Sequence, residues 1–187
     1  MKAGKEDCVL LVVDVQERLI GTIENSGAMV AGVRALIDSA GTFNIPVIVT
    51  EQEKLGETIP HLMERMGVHI KVKKLEFSCC RNAVFMEALE KTGRKTAVIC
   101  GIEAHICILQ TALDLLEGGY KVQVVRDAIS SHATVDHETA IERMRDAGAT
   151  ITTTEALLYE LAAKAGTPEF KRILDITKEK RRGLKSE

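Results

Sequence analysis

The sequence predicts an α/β protein built on a doubly wound, mainly parallel six-stranded sheet with helices on both faces. Three observations predict it. Short Val- and Ile-rich runs of strand length recur along the chain, stretches with helical spacing separate them, and glycines stand where those helices should end. The first and fourth runs are nearly continuous in apolar residues, the pattern of a parallel strand covered on both faces.

The runs are residues 8–15 (CVLLVVDV), 45–50 (IPVIVT), 69–75, 96–102 (TAVICGI), 121–128 (KVQVVRDA) and 150–154. Between them, Val30, Val33, Ile37 and Ala40 form one helical stripe, and Val84, Phe85, Ala88 and Leu89 a second. Ile108, Ala112, Leu115 and Leu116 form a third, and Ala140, Met144 and Ala147 a fourth. Gly93 and the pair Gly118-Gly119 fall at C-terminal cap positions. Strict β-α alternation implies right-handed crossovers, and in such a sheet the ligand crevice lies beyond the carboxyl ends of the strands.

A chain of 187 residues is read as one domain spanning 1–187, and it carries 25 Lys and Arg against 27 Asp and Glu, a net charge of −2. That balance supplies no field for nucleic acid or an anionic membrane, so a small-molecule substrate is the expected partner. No apolar run reaches the length of a membrane span, and the opening MKAGKEDC places charges where a signal peptide needs apolar residues, so the expected compartment is the cytoplasm. Five cysteines, an odd number, point to reduced thiols rather than a disulfide framework. From about residue 171 the sequence turns basic, with seven Lys or Arg and three Asp or Glu to the end. The segment reads as a solvated terminal helix followed by a frayed tail, with a nuclear or nucleic-acid address as the alternative.

The crevice rule directs attention to polar residues at strand ends. Asp14 closes the first strand inside LLVVDVQ. Lys73 and Lys74 end the third, and strand alternation sends them to opposite faces, so one points inward. Cys107 follows the fourth strand in the first turn of the next helix, where free backbone N–H groups and the macrodipole should lower its thiol pKa. Cys8 and Cys100 lie within strands and read as core residues. An acid, a cation and a thiol thus fall at three strand ends that the topology can bring together.

Three motifs, the LLVVDVQ of the first strand, the K-x-x-F-S of residues 74–78 and the stretch GIEAHICILQTALDLLEGGYKVQVVRDA of 101–128, resemble those of the isochorismatase-like cysteine hydrolases. The resemblance extends from about residue 9 to 158. Within that superfamily the sequence is most similar to the isochorismatase-domain-containing proteins of uncharacterised substrate, which share TEQ after the second strand and a tail like PEFKRI.

The resemblance implies a Rossmann-like three-layer fold and an Asp-Lys-Cys triad of Asp14, Lys74 and Cys107, Lys74 being chosen because it opens K-x-x-F-S. It implies a non-proline cis peptide between Ile102 and Glu103, and an oxyanion hole formed by the backbone N–H groups of Glu103 and Cys107. Cysteine chemistry implies hydrolysis of a small amide, carbamoyl or related carbonyl compound; the alternative is a catalytically silent binding or scaffold protein that keeps the fold. Relatives that hold a metal carry Asp-x-His and further histidines after the second strand. Here that loop reads Thr50-Glu51-Gln52-Glu53-Lys54 with only His61 downstream, so no metal and no cofactor is expected.

Pocket candidates are Gln16 and Leu19 after the first strand, Glu51 and Gln52 after the second, and Phe77 with Cys79 after the third. His105 stands two residues before Cys107, but the family's base is the aspartate; His132 and His137 read as solvent-facing or capping residues. Assembly into a homo-oligomer, at least a dimer, is expected from the apolar faces of residues 156–163 and 170–176 and from Gly118-Gly119-Tyr120.

Overall fold

Six parallel strands form the sheet of the computed structural model, which describes residues 2–183. The strands are β1 (Cys8–Val13), β2 (Val47–Gln52), β3 (Ile70–Lys74), β4 (Thr96–Ile102), β5 (Lys121–Ser130) and β6 (Thr150–Thr152), in the spatial order β3-β2-β1-β4-β5-β6. The helices are α1 (Glu17–Ile20), α2 (Ser26–Phe43), α3 (Pro60–Met63), α4 (Ala83–Lys91), α5 (Leu109–Glu117), α6 (Thr134–Asp146), α7 (Thr154–Ala162) and α8 (Pro168–Gly183).

Both faces of β1 are buried, and its alternation divides the core. Cys8, Leu10 and Val12 face α2, α7 and α8, whereas Val9, Leu11 and Val13 face α4, α5 and α6. Each layer alone would leave half of these side chains wet; at about 25 cal/mol per Å² of apolar surface, covering both is the main favourable contribution to folding. The chain runs from β1 outward to β3 and then returns to the other side of β1 as β4. The topological switch point therefore lies between β1 and β4, and the crevice opens beyond their carboxyl ends.

Several expectations are corrected by burial. Val84 is exposed and Ala147 lies on the solvent side of its turn, with Ile141 taking the core position beside Ala140 and Met144. The faces assigned to assembly are consumed internally: Leu157, Leu158, Leu161, Ile173 and Ile176 join the core under α2, and Tyr120 is buried. The basic helix α8 is not simply solvated. Lys180 bonds Asp127 at 2.8 Å and Arg181 pairs with Glu155, which fastens it to the α2 side of the sheet. The frayed tail read from the sequence falls largely on 184–187, outside the described residues. Among the described residues no helix is long and apolar enough to cross a membrane.

Candidate active site

β1 stops one residue before the site because Asp14 adopts φ +54°, a left-handed conformation that Asp tolerates better than its β-branched neighbours. The turn aims the carboxylate across the carboxyl end of the sheet instead of along it. There Thr50 Oγ1 donates to Asp14 Oδ1 at 2.7 Å, and the Lys74 ammonium donates to Oδ2 at 2.7 Å. Lys74 starts two strands away, a lateral distance of about 10 Å at normal strand spacing, which only a long side chain crosses. It is held on the way by Gln52 Oε1 at 2.7 Å and by the carbonyls of Glu76 and Phe77 at 3.2 and 3.5 Å. Lys73 points the other way, is exposed, and pairs with Glu57 at 3.3 Å.

Lys74 Nζ also lies 3.6 Å from Cys107 Sγ. The bond joining Ile102 to Glu103 is cis, and a π-helical turn over Ala104–Ile108 leads from there into α5. The carbonyl of Glu103 accepts from the N–H groups of Ile106 and Ile108, both at 3.2 Å, passing over that of Cys107. Single π-helical turns of this kind often stand at functional sites. Gly101, at φ +119°, makes the approach possible: a Cβ there would come within 2.0 Å of the Val13 carbonyl oxygen.

The expected depression of the Cys107 thiol pKa is not what the site produces. Burial pushes the thiol up, the Asp14 carboxylate pushes it further, and the Lys74 ammonium only partly offsets them. For Lys74, burial is the largest influence and acts downward, but the charges of Asp14, Cys79 and Cys107 and the hydrogen bond to Asp14 together outweigh it, and the ammonium is raised. The arrangement is thus a neutral thiol beside an ammonium–carboxylate pair that is almost fully buried.

A cavity of about 90 Å³ opens onto this cluster, lined by Asp14, Leu19, Gln52, Leu55, Phe77, Glu103, Ile106 and Cys107. Leu19, Gln52 and Phe77 are where the sequence placed them. Three other pocket candidates are not. Gln16 is buried as a clamp, its Nε2 donating to the carbonyls of Gln52 at 2.9 Å and Gly56 at 2.7 Å while its Oε1 accepts from the Gln52 N–H at 2.8 Å. Glu51, one residue from Thr50, alternates to the opposite face, where Oε1 takes Thr58 and Lys71. Cys79 is buried under Thr50 and Thr111 with its thiol pushed up to about 11 by burial, and Cys80 likewise to about 12. Leu55 and Ile106 were missed: one lies in a loop and the other in an irregular turn, where no periodicity marks a face.

Among the described residues one group offers a metal ligand set, Glu103, His105 and His132, whose donor atoms lie within 4.8 Å of one another. Ligand spacing in the sequence does not reveal it, because the folding of β4 beside β5 is what brings residue 132 next to 103 and 105. His137 is mostly buried rather than solvent-facing, and desolvation lowers its pKa.

The sequence profile of the Isochorismatase domain matches residues 8–156. The chain belongs to the isochorismatase family. It is 39% identical over 177 residues to the secreted isochorismatase effector Isc1 of Phytophthora sojae, a match covering 91% of this chain and 84% of that protein. Among solved structures it is similar to the MAR1 ribonuclease of Caenorhabditis elegans, with TM-score 0.89 and 36% identity over 94% of this chain and 92% of that one. YcaC of Escherichia coli, described as an octameric hydrolase of unknown specificity, superposes with TM-score 0.91 at 25% identity, covering 100% and 96% of the two chains. YcaC of Pseudomonas aeruginosa, solved with hexane-2,5-diol and covalent acrylamide, gives TM-score 0.87 at 27% identity over 99% and 96%. Membership of this family supports a hydrolase-type activity for the isochorismatase-family chain.

Proposed function

We propose that the protein is a cysteine hydrolase acting on a small amide, carbamoyl or related carbonyl compound. The observation that carries this reading is the buried cluster in which Lys74 Nζ lies 2.7 Å from Asp14 and 3.6 Å from Cys107 at the floor of a cavity. Covalent acrylamide in the Pseudomonas aeruginosa relative fits a reactive nucleophile in the same fold. A cavity of about 90 Å³ suits a group of a few heavy atoms and is far too small for a polynucleotide.

In the proposed mechanism the thiol stays protonated until a carbonyl enters. Asp14 then takes the proton as sulfur attacks the carbonyl carbon, so the site never holds two uncompensated negative charges. Lys74 holds the Asp14 carboxylate in place and faces the charge that develops on sulfur. The N–H groups of Glu103 and Cys107 receive the oxyanion, each worth about 3–4 kcal/mol by the usual loss for one such donor. Asp14 passes the proton to the leaving nitrogen as the C–N bond breaks, giving a thioester. Water, deprotonated by Asp14, attacks the thioester; the acid leaves and the thiol is reprotonated.

The protein is proposed to act as a homo-oligomer, in keeping with the octameric relative, and the five unpaired cysteines suit the reducing cytoplasm as its setting. The test is a screen of small amides, ureas and carbamates with wild type and Cys107→Ala in parallel. Hydrolysis by wild type that is lost in Cys107→Ala supports the reading; equal hydrolysis by both overturns it.

A further inference from the structure

We propose that Glu103, His105 and His132 form a binding site for a borderline divalent transition metal, zinc being the reference ion, at the rim of the active-site cavity. The inference does not depend on the cysteine mechanism.

The three residues come from two places. Glu103 and His105 follow β4, and His132 follows β5, its neighbour in the sheet. One donor atom from each lies within 4.8 Å of the others, and the two imidazole rings stand 5.3 Å apart at 60°. Zinc held at about 2.0–2.2 Å from each donor in a tetrahedral site needs those donors about 3.4 Å apart, so a pair at the 4.8 Å limit would close by little more than an ångström while Glu103 Oε2 and His132 Nδ1, at 2.9 Å, would open slightly. His132, 54% exposed, is free to turn toward Glu103, which is 13% exposed and reaches it from the cavity wall.

The outer contacts prepare the donors. His105 Nδ1 lies 3.0 Å from Ser131 Oγ, which fixes the ring and leaves Nε2 to coordinate, the kind of second contact that metal-binding histidines use. Glu103 Oε2 accepts from the His132 N–H at 3.0 Å and pairs with His132 Nδ1 at 2.9 Å, so carboxylate and imidazole already converge. Asp136 Oδ2, 3.6 Å from His132 Nε2, adds negative charge on the far side. Two imidazoles and one carboxylate select zinc, cobalt or nickel over magnesium or calcium, which prefer all-oxygen shells. Three protein ligands leave a position open to water or to a ligand in the cavity, because Glu103 also lines that cavity beside Cys107.

The test is calorimetric titration of chelator-treated full-length protein with zinc chloride, with cobalt(II) absorption as a second readout. The expected result is one equivalent bound by wild type, binding weakened by about tenfold or more in His105→Ala and in His132→Ala, and no change in the remote control His61→Ala. Cobalt should show nitrogen and oxygen coordination without thiolate-to-metal charge transfer. No uptake, uptake of equal strength in all four proteins, or a cobalt–thiolate band marking Cys107 as the ligand overturns the proposal. Should His105→Ala fail to fold, His132→Ala, whose side chain is half exposed, decides the matter alone.

Discussion

The Lys74 ammonium and the Asp14 carboxylate form an ion pair at 2.7 Å with side-chain exposures of 0% and 1%. Neither charge has water to fall back on. Removing one leaves the other buried and uncompensated, at a cost of about 3–5 kcal/mol. Lys74→Met is therefore expected to destabilise the protein by that order in urea denaturation, whereas Lys73→Ala, whose side chain lies in solvent beside Glu57, should leave the midpoint nearly unchanged.

The same pair sets the thiol. Asp14 raises the Cys107 pKa and Lys74 lowers it. The pH dependence of Cys107 alkylation, mapped by peptide mass, should thus move in opposite directions in the two variants. Lys74→Met shifts it to higher pH, and Asp14→Asn shifts it to lower pH while abolishing turnover, because the base is gone. A shift in the same direction for both, or a larger shift in Lys73→Ala, contradicts this electrostatic account.

Strand alternation made it legible that one of the two adjacent lysines faces inward, and the K-x-x-F-S resemblance pointed to Lys74 as that one. The acid, the cation and the thiol were legible for a related reason: a doubly wound sheet fixes which strand ends meet. The state of the thiol was not. Its pKa depends on how deeply the π turn sinks Cys107 and on how close Asp14 comes, and a left-handed residue and an irregular turn leave no periodic trace. Gln16, Glu51 and Cys79 were misplaced in the pocket for the same reason, since nearness to a strand end does not say which face a side chain takes.

Gln16 should behave as a structural residue. Its three hydrogen bonds hold the β2 end at Gln52 and the loop at Gly56, and Gln52 in turn holds Lys74. Gln16→Leu leaves buried backbone groups unpaired and is expected to cost about 1–3 kcal/mol per group in denaturant unfolding. Leu19→Ala, which trims the cavity wall and a partly buried contact with the core, should alter substrate affinity with a smaller effect on stability.

Gly101 is the tightest contact in the site. With φ +119° and the Val13 carbonyl oxygen 2.0 Å from where a Cβ would stand, Gly101→Ala must displace β1 from β4. Soluble yield and cooperative unfolding should both be lost, while Gly4→Ala, with open space around it, should fold normally.

Alkaline pH should destabilise the fold. Burial raises every cysteine above the ordinary 9.0, to about 11 for Cys8 and Cys79 and about 12 for Cys80, and higher still for Cys100 and Cys107. Between 9.0 and those values the folded state holds more protons than the unfolded one. The stability this contributes is complete below pH 9 and lost as pH rises through the folded pKa values. Urea midpoints measured from pH 8 to 10.5 should fall, and should fall less steeply in Cys8→Ala.

If Cys107 is the nucleophile, quenching the protein in acid during turnover of a carbonyl substrate traps its acyl adduct. Peptide mass should then show an acyl increment on the peptide carrying Cys107 and none in Cys107→Ala. An increment on another residue, or turnover that survives in Cys107→Ala, would contradict that role for Cys107.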